Sequence, residues 1–286
     1  MGIQIKTLNY LLENIDSYYS IEKKDIFIGE LGDQMIKRSC FNVIKSSGYP
    51  KVNQIIDTGY GVKNGMGAIC SSKDLFKWYG YNHISFDINT NHGALKYDFS
   101  RDISKYNAYF DIFTNIGSSE HIGEINSIQE FESGQNPQYY CFKNIHDMTK
   151  KNGLMIHMVP LANNWEKHGR FKYTLDFFDS LALLNNYQVH SKEIFEYASE
   201  IKKTGMKCIL ITLIKTFKES IQRIEFLIEE RDEKFGKRDS QGNSQVSLIE
   251  NSLLNYNRFN LNNSFNNFMV GESNELAYTA ARKVNV

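Results

Sequence analysis

The segment FDIFTNIGSSEHI at residues 110–122 carries the side chains with the clearest chemical potential in this sequence. It begins as an apolar strand and ends in small and polar residues, which leave room for a ligand. Glu120 and His121 follow directly, and a carboxylate beside an imidazole can move a proton. His168 follows a later predicted strand on the same side of the sheet. We therefore expect His121 or His168 to act as a general base, with Glu120 orienting the imidazole.

Two further predicted strand ends carry ligand-binding features. The first is GELGDQ at residues 29–34, where a strand runs into a glycine turn. Glycine lets a backbone approach a ligand closely. The second is Asp87, which closes the predicted strand 83–88. A carboxylate there can accept hydrogen bonds from ribose hydroxyls, although each feature taken alone is also typical of an ordinary turn.

The histidines allow other interpretations. His157 alternates with apolar residues inside a predicted strand, which favours a structural role. Together with His121, His168 and Glu120 it could form a metal site, because imidazole and carboxylate suit divalent metals. No closely spaced histidine pair supports that arrangement, so the sequence ranks a general base above it and predicts no metal. The remaining histidines are expected to be structural or on the surface: His83, His92, His146 and His190.

The predicted elements place these groups at one edge of a sheet. Apolar strands alternate with helices, which is typical of a Rossmann-like, doubly wound and mostly parallel α/β fold. In such sheets, ligands bind at the carboxyl ends of the strands. Seven strands are expected, at 25–30, 83–88, 94–99, 110–115, 153–160, 187–195 and 207–215.

The chain divides into four predicted parts. They are an N-terminal helix at 1–20, the α/β domain at 21–216, a helix at 217–235, and a linker with a C-terminal tail at 236–286. Within the α/β domain, a helix is expected at 35–47, and the glycine-rich residues 48–67 predict an insertion after the first strand. The apolar face at 217–228 belongs to a helical C-terminal extension and is a candidate contact between copies of the chain.

Composition argues against several classes of protein. The 33 Lys and Arg residues balance the 33 Asp and Glu residues, so no global field attracts nucleic acid. The four cysteines form no CxxC pair, which disfavours a zinc ribbon and a secreted disulfide scaffold. No apolar run approaches the roughly 18 residues of a membrane span, and no signal-peptide pattern begins the sequence. We expect a cytoplasmic protein that binds neither nucleic acid nor membrane.

The ordered motifs resemble those of class I S-adenosylmethionine-dependent methyltransferases over about residues 21–215. The features are E-x-G at the first strand end, an acid ending the second strand, another acid one strand later, and FD-strand-N-x-G-x-x-EH. Residues 163–187 resemble the HG-x-F-x-Y…FF segment of bacterial methyltransferases linked to surface-polysaccharide synthesis. The resemblance implies S-adenosyl-L-methionine as cofactor and O-methylation of a small or glycan-type acceptor.

The resemblance also implies which residues border the cofactor. They are Glu30 and Gly32 for the methionine part, Asn115 and Gly117 for the sulfonium, Asp87 for the ribose, and Asp98 and Phe99 for the adenine. Trp165, Phe171 and Tyr173 are candidates for the wall of the acceptor pocket, although such aromatic residues equally often serve packing.

Two other hypotheses stay open. Gln34 stands where the family has its third glycine, which favours a non-catalytic binding or scaffold protein on the same fold. A NAD-linked sugar enzyme is the weaker alternative. Its fingerprint expects an acid about 20 residues after the glycines, whereas a long insertion separates the two here.

The tail carries a resemblance of its own. Residues 259–284 resemble the opening of the AAA+ module of the bacterial chromosomal replication initiator, through a run F-x-x-F-x-x-G-x-S-N-x-L-A. No G-x-x-x-x-G-K-[ST] phosphate loop follows, so neither ATP binding nor a DNA role is expected. A gene-fusion remnant, or a helix that packs on the main domain or on a partner, is the plainer interpretation.

Overall fold

The computed structural model describes residues 2–54, 56, 67–123, 137–165, 168–197 and 206–216. In these ranges the helices are α1 (Ile5–Tyr18), α2 (Phe41–Ser46), α3 (Ser72–Trp78), α4 (Pro137–Met148) and α5 (Leu175–Leu184). The strands are β1 (Phe27–Leu31), β2 (Met35–Lys37), β3 (Ala68–Ser71), β4 (Asn82–Phe86), β5 (Phe110–Ile116), β6 (Thr149–Pro160), β7 (Gln188–Tyr197) and β8 (Met206–Ile214).

A six-stranded sheet, in the order β4-β1-β5-β6-β8-β7, organises the described residues. Strands β4, β1, β5 and β6 are parallel, whereas β8 runs antiparallel to both β6 and β7. The chain moves outward from β1 to β4 and then returns to the other side of β1 to form β5. Such a reversal is a topological switch point, and ligands of open α/β sheets bind beyond the carboxyl ends of the strands there.

Helices cover both faces of this sheet. On one face, Leu11 of α1 and Leu75 of α3 share an apolar cluster with Ile28 of β1. On the other face, the ring of Phe142 in α4 lies 5.6 Å from the ring of His157 in β6. Covering both faces buries β1, β5 and β8 almost completely, which explains their nearly continuous apolar runs. The Rossmann-like, mostly parallel α/β fold predicted from the sequence is confirmed.

One of the seven predicted strands, at 94–99, does not form. Leu95 makes an isolated parallel bridge with Phe86, in which its N–H donates to Ser85 and its carbonyl accepts from Asp87. The chain then leaves the sheet because Asp98 forms a local turn. Its Oδ1 accepts hydrogen bonds from the backbone N–H and the hydroxyl of Ser100, at 2.9 and 2.6 Å.

The segment after β1 also differs from the prediction. Only part of the expected helix at 35–47 is helical, because Met35–Lys37 forms β2 and pairs antiparallel with β3. The two strands of this small second sheet therefore flank the predicted insertion at 48–67. The N-cap of α3 is Ser71, whose hydroxyl accepts from the Asp74 N–H at 3.1 Å. The hydroxyl of the next residue, Ser72, donates to a carboxylate of β1 instead.

Several predicted features lie outside the described residues. They are residues 57–66 of the insertion at 48–67, the helix at 217–235 with its candidate contact surface, and the linker and tail at 236–286. The domain boundaries after residues 216 and 235 therefore stay predictions. Among the residues that the structure describes, no helix combines the length and the apolar character needed to cross a membrane.

Candidate functional site

Three loops meet at the switch point, beyond the carboxyl ends of β4, β1 and β5. The backbone N–H of Asp33, after β1, donates to Oδ2 of Asp87, after β4, at 3.2 Å. Nε2 of Gln34 donates to Oγ of Ser118, after β5, at 2.9 Å. The three strand ends singled out in the sequence are thus neighbours joined by hydrogen bonds.

Gly32 makes the first turn of this crevice. Its φ of 83° lies in the left-handed region that glycine adopts most readily. A Cβ atom here would also lie only 2.3 Å from Oγ of Ser118, which itself donates to the Leu31 carbonyl at 2.9 Å. Glycine is therefore required at this position, and the group that approaches its backbone in the structure is a protein hydroxyl.

The loop after Gly32 contains buried acceptors without donors. Oδ1 of Asp33 and Oε1 of Gln34 are buried and have no hydrogen-bond partner. The other Asp33 oxygen contacts Nδ1 of His92. Burial raises the pKa of Asp33, and the hydrogen bond from His92 opposes that rise. Buried polar atoms normally find partners, so these two oxygens point to a missing donor.

Asp87 lies beside this loop with its carboxylate partly exposed. Its Oδ2 accepts from Asp33, and its Oδ1 accepts from the N–H of Asn89 at 2.7 Å. A carboxylate offers about four acceptor positions, so Asp87 can hold the loop and still accept from a ligand hydroxyl. The ribose contact implied for Asp87 stays a prediction.

The two residues implied for the adenine are placed differently. The Asp98 carboxylate serves its own turn and lies 3.4 Å from Nε of Arg101. Phe99 is 1% exposed, and its ring packs between Phe86 and Phe113 at 5.7 and 6.0 Å. A fully packed ring has no free face for a base, so the structure gives no support to an adenine contact by Phe99.

Asn115 and Gly117 shape the end of β5. Asn115 is fully buried, donates from Nδ2 to Oγ of Ser119 at 2.8 Å, and accepts at Oδ1 from the Ser119 N–H at 3.1 Å. Gly117 has a φ of 62°, and its N–H donates to the Met158 carbonyl at 2.7 Å. These contacts turn the chain into the 3-10 helix Ser119–His121. Both residues therefore position the acid–base groups that follow.

The three predicted catalytic residues converge, and we call them the Glu120 cluster: Glu120, His121 and His168. Oε1 of Glu120 lies 3.5 Å from Nε2 of His168 and 3.9 Å from Nε2 of His121. Glu120 is fully buried, whereas the side chains of His121 and His168 are 39% and 29% exposed. The carboxylate thus forms the floor of a site that opens to solvent through the two imidazoles.

The loop that delivers His168 depends on the next residue. Gly169 has a φ of 64°, and a Cβ there would lie 2.6 Å from Cγ of Glu120. The N–H groups of Arg170 and Phe171 both donate to the Glu120 carbonyl, at 2.9 and 3.1 Å. The His-Gly dipeptide therefore allows a distant loop to pack directly onto the turn after β5.

Two buried residues support the same turn: Gln138, which sequence reasoning did not assign to the site, and Tyr173. Nε2 of Gln138, at the start of α4, donates to the carbonyls of Ser119 and Ile122 at 2.8 and 2.9 Å. The hydroxyl of Tyr173 lies 2.7 Å from Oε1 of Gln138 and 3.0 Å from Oγ of Ser119. Tyr173 and Trp165, considered for the acceptor wall, are buried and serve packing. Only the glycine after His168 signalled this arrangement in the sequence.

The structural role expected for His157 agrees with its surroundings. It is buried in β6, with Nδ1 3.2 Å from Nδ2 of Asn115. Burial lowers the pKa of His157 to about 3, so the ring is neutral. His157 therefore contributes to the support beneath the Glu120 cluster and is absent from the set of converging donors.

Glu30 occupies a separate, sealed position under α3. We call Glu30, Ser72 and His83 the Glu30 cluster. Ser72 donates to Oε2 of Glu30 at 2.5 Å, and Nε2 of His83 lies 3.5 Å from the same oxygen. Burial raises the pKa of Glu30 to about 8 and lowers that of His83 to about 3. Because burial opposes both charges, Glu30 is protonated and His83 is neutral near pH 7.

Comparison with known proteins gives structural likenesses at low sequence identity. No protein-family model and no curated protein sequence matches the chain. A SAM-dependent methyltransferase from Methanosarcina mazei is similar in structure at 10% identity and a TM-score of 0.39, covering 75% of this chain and 99% of that one.

Two further solved structures differ in acceptor. A Burkholderia thailandensis 1,6-didemethyltoxoflavin-N1-methyltransferase, bound to 1,6-didemethyltoxoflavin and S-adenosylhomocysteine, is 12% identical with a TM-score of 0.36, covering 63% of this chain and 87% of that one. A 16S rRNA (adenine(1408)-N(1))-methyltransferase from Catenulisporales acidiphilia is 7% identical with a TM-score of 0.36, covering 73% and 94%. At these values the likenesses decide neither cofactor nor acceptor, so the function is argued from the site.

Proposed function

We propose that this chain is an S-adenosylmethionine-dependent methyltransferase that O-methylates a small or glycan-type acceptor. One observation carries the proposal. At the switch point, the loop after the Gly32 turn is hydrogen-bonded to Asp87 and to Ser118, and the Glu120 cluster begins two residues after Ser118 in the chain. Cofactor binding and proton removal are the two tasks of such an enzyme, and these adjacent groups match them.

The loop after β1 fits the amino-acid end of this cofactor. Its two orphan acceptors, Oδ1 of Asp33 and Oε1 of Gln34, need donors, and the α-ammonium group of S-adenosylmethionine supplies donors. Asp87 has unused acceptor positions for the ribose hydroxyls. The residues proposed to hold the cofactor are therefore Asp33, Gln34 and Asp87, with the Gly32 backbone alongside.

The chemistry required of the protein is positioning and proton removal. The bound cofactor supplies a methyl group on a sulfonium, which an acceptor oxygen takes in a direct displacement. The oxygen must lose its proton as the new bond forms. The Glu120 cluster receives the acceptor and removes that proton, since its imidazoles reach solvent while its carboxylate is buried. Asn115 and Gln138 keep the cluster in place.

The nature of the acceptor is inferred from charge and accessibility. The open side of the cluster admits a hydroxyl-bearing molecule from solvent, and the balanced charge of the chain favours no polyanion. The glycan class follows from the resemblance of residues 163–187 to methyltransferases of surface-polysaccharide synthesis, which is an argument by analogy.

Thermal unfolding with S-adenosylhomocysteine tests the cofactor. At about 100 times its dissociation constant, a ligand adds roughly 2.7 kcal/mol to the free energy of unfolding, which is a rise of roughly 5 to 10 °C for a domain of this size. We expect this rise in the wild type, a much smaller one in Asp87→Ala, and the full rise in Asp179→Ala. Asp179 is a matched control because its carboxylate pairs with Lys192 at the surface of α5. No rise in a well-folded wild type would overturn the proposal.

A second candidate is a non-catalytic binding protein, and one observation favours it. The Gln34 side chain and the Ser118 hydroxyl occupy the crevice where the family has open glycine backbone. If the wild type shows no rise and Gln34→Gly restores one, the crevice is obstructed in the natural protein and this candidate gains. If the wild type and Gln34→Gly show equal rises in melting temperature, the Gln34 side chain does not obstruct the crevice, and the enzyme is favoured.

A further inference from the structure

The Glu120 cluster has an arrangement that proton transfer alone does not explain. One carboxylate oxygen and two imidazole nitrogens lie within 4.8 Å of one another, although they come from two loops 47 residues apart in the sequence. Three potential ligand atoms that lie this close together favour a shared electrophile. General base catalysis requires one imidazole and one orienting carboxylate, so the second imidazole is unexplained.

The buried atoms of the cluster lack hydrogen-bond partners. Both carboxylate oxygens of Glu120 and Nε2 of His168 are buried, and none accepts or donates a hydrogen bond. The surrounding polar atoms are satisfied: Ser119, Asn115 and Gln138 bond to one another or to backbone carbonyls. An isolated buried carboxylate is costly unless it is paired or coordinates a metal. At this turn, the buried atoms without partners are thus those of Glu120 and His168.

The spacing of these atoms matches a metal site better than a hydrogen bond. At 3.5 and 3.9 Å, the two oxygen–nitrogen separations are too long for strong hydrogen bonds. Donors that lie 2.0–2.2 Å from zinc in a tetrahedron are about 3.3 Å apart. A modest inward movement of the partly exposed imidazoles would close the remaining gap.

We propose that Glu120, His121 and His168 bind a divalent transition-metal ion of the zinc type. Two histidines and one carboxylate form a known donor set for catalytic zinc, and such sites keep a position open for water or substrate. The exposed side of the imidazoles provides that position here. This assignment differs from the expectation of no metal drawn from the sequence, where no closely spaced histidine pair was visible.

The inference rests on the proposed function for its catalytic consequence. In place of a free imidazole base, the bound ion would lower the pKa of an acceptor hydroxyl at the open position, and the proton would leave to solvent water. The deprotonated oxygen then takes the methyl group, and the sulfonium of the donor becomes a thioether. Both imidazoles act as ligands, which explains why the site contains two.

Cysteines do not offer competing sites in the folded protein. All four are buried and free. Burial raises the pKa of Cys40, Cys70 and Cys208 to about 12, 11 and 12, and it raises that of Cys141 as well. Thiolates, which bind zinc, are therefore scarce at neutral pH. Metal binding by the folded chain reports on the histidines and carboxylates.

Calorimetric titration of the full, chelator-stripped chain with Zn²⁺ alone tests the inference, with Co²⁺ absorption as a coordination probe. We expect one equivalent in the wild type and at least a 100-fold loss of affinity in Glu120→Gln and in His168→Asn. His190→Asn, a matched change at a histidine beside Tyr18, should bind as the wild type does. Circular dichroism and metal-free melting establish that each variant is folded.

The outcomes separate this inference from the proposed function. Absence of Zn²⁺ binding by the wild type, or equal binding by a folded Glu120→Gln, would overturn the metal site. S-adenosylhomocysteine binding is measured on the same metal-free samples. If that ligand binds and Zn²⁺ does not, the methyltransferase proposal stands and the metal fails. If Zn²⁺ binds and S-adenosylhomocysteine does not, the metal site stands and the proposed cofactor fails.

Discussion

In the part of the chain that the structure describes, two buried glutamates lie beside histidines, and they differ in what surrounds them. In the Glu30 cluster, Ser72 donates to the carboxylate and His83 is fully buried, so the group is sealed beneath α3. In the Glu120 cluster, the carboxylate receives no donor, and both imidazoles are partly exposed. Both glutamates were expected at the functional site, one for the cofactor and one for catalysis.

Both clusters pair a glutamate with histidine, and they differ in the solvent exposure of the imidazoles. Burial keeps the Glu30 carboxyl protonated and the His83 ring neutral, so neither group carries a charge that needs a partner. The Glu120 carboxylate instead lies under two partly exposed histidines. Glu30 therefore packs inside the fold beside β1 and α3, and the Glu120 cluster is the group we propose as the functional site.

The largest expected effect concerns Gly169, which lets the loop that carries His168 pack on Glu120. Gly169→Ala should cost about 3 to 4 kcal/mol in unfolding free energy, because it adds a left-handed alanine and a clash with Glu120. Gly48→Ala is the matched control, since Gly48 has a φ of 79° but no neighbouring atom within 4 Å of where an alanine Cβ would lie. It should cost about 1 kcal/mol. Equal costs in urea unfolding would show that the loop does not pack on Glu120.

The next effect compares the two glutamates directly in metal binding. Glu120→Gln should weaken Zn²⁺ binding at least 100-fold, a change of about 2.7 kcal/mol. Glu30→Gln should leave the affinity unchanged, because its carboxylate is sealed from solvent. Parallel calorimetric titrations measure both. A similar loss in the two variants would remove the distinction between the clusters.

The third effect is the pH dependence of the sealed pair. Between about pH 3 and 8 the folded pair holds one proton, whereas the unfolded groups, with pKa values of 4.5 and 6.5, hold none above pH 6.5. The folded state then binds more protons, so stability falls as pH rises from 6.5 to 8. We expect the wild type to lose about 2 kcal/mol relative to Glu30→Gln between pH 6 and 8. Parallel pH curves from urea unfolding would contradict the raised pKa of Glu30.

The smallest effect concerns the hydroxyl that serves Glu30. Ser72→Ala should lower the unfolding free energy by about 1 kcal/mol, because a buried acceptor loses its donor. Ser46→Ala removes an exposed hydroxyl that donates to the Val43 carbonyl, and it should cost less than about 0.5 kcal/mol. Chemical unfolding of the two variants at pH 6 makes the comparison. No difference between them would mean that Ser72 contributes nothing to the sealed cluster.

Much of the fold could be predicted from local patterns. Strands such as β1, β5 and β8 are apolar runs, and α1 has apolar residues at helical spacing, so burial alone favours these elements. The errors came where a local hydrogen bond or a tertiary pairing overrode the pattern. Asp98 turns the chain away from a strand, and Met35–Lys37 extends because Ala68–Ser71 lies beside it.

The sequence by itself determined that acids, glycines and histidines follow the ends of parallel strands, because strand order and polarity can be inferred from alternation along the chain. Only the tertiary structure decided which of them meet. His168 reaches Glu120 because Gly169 lets one loop cross another, whereas Glu30 turns under α3 toward Ser72 and His83. Such choices depend on packing between distant segments, and packing is a property of the whole fold rather than of any local run of residues.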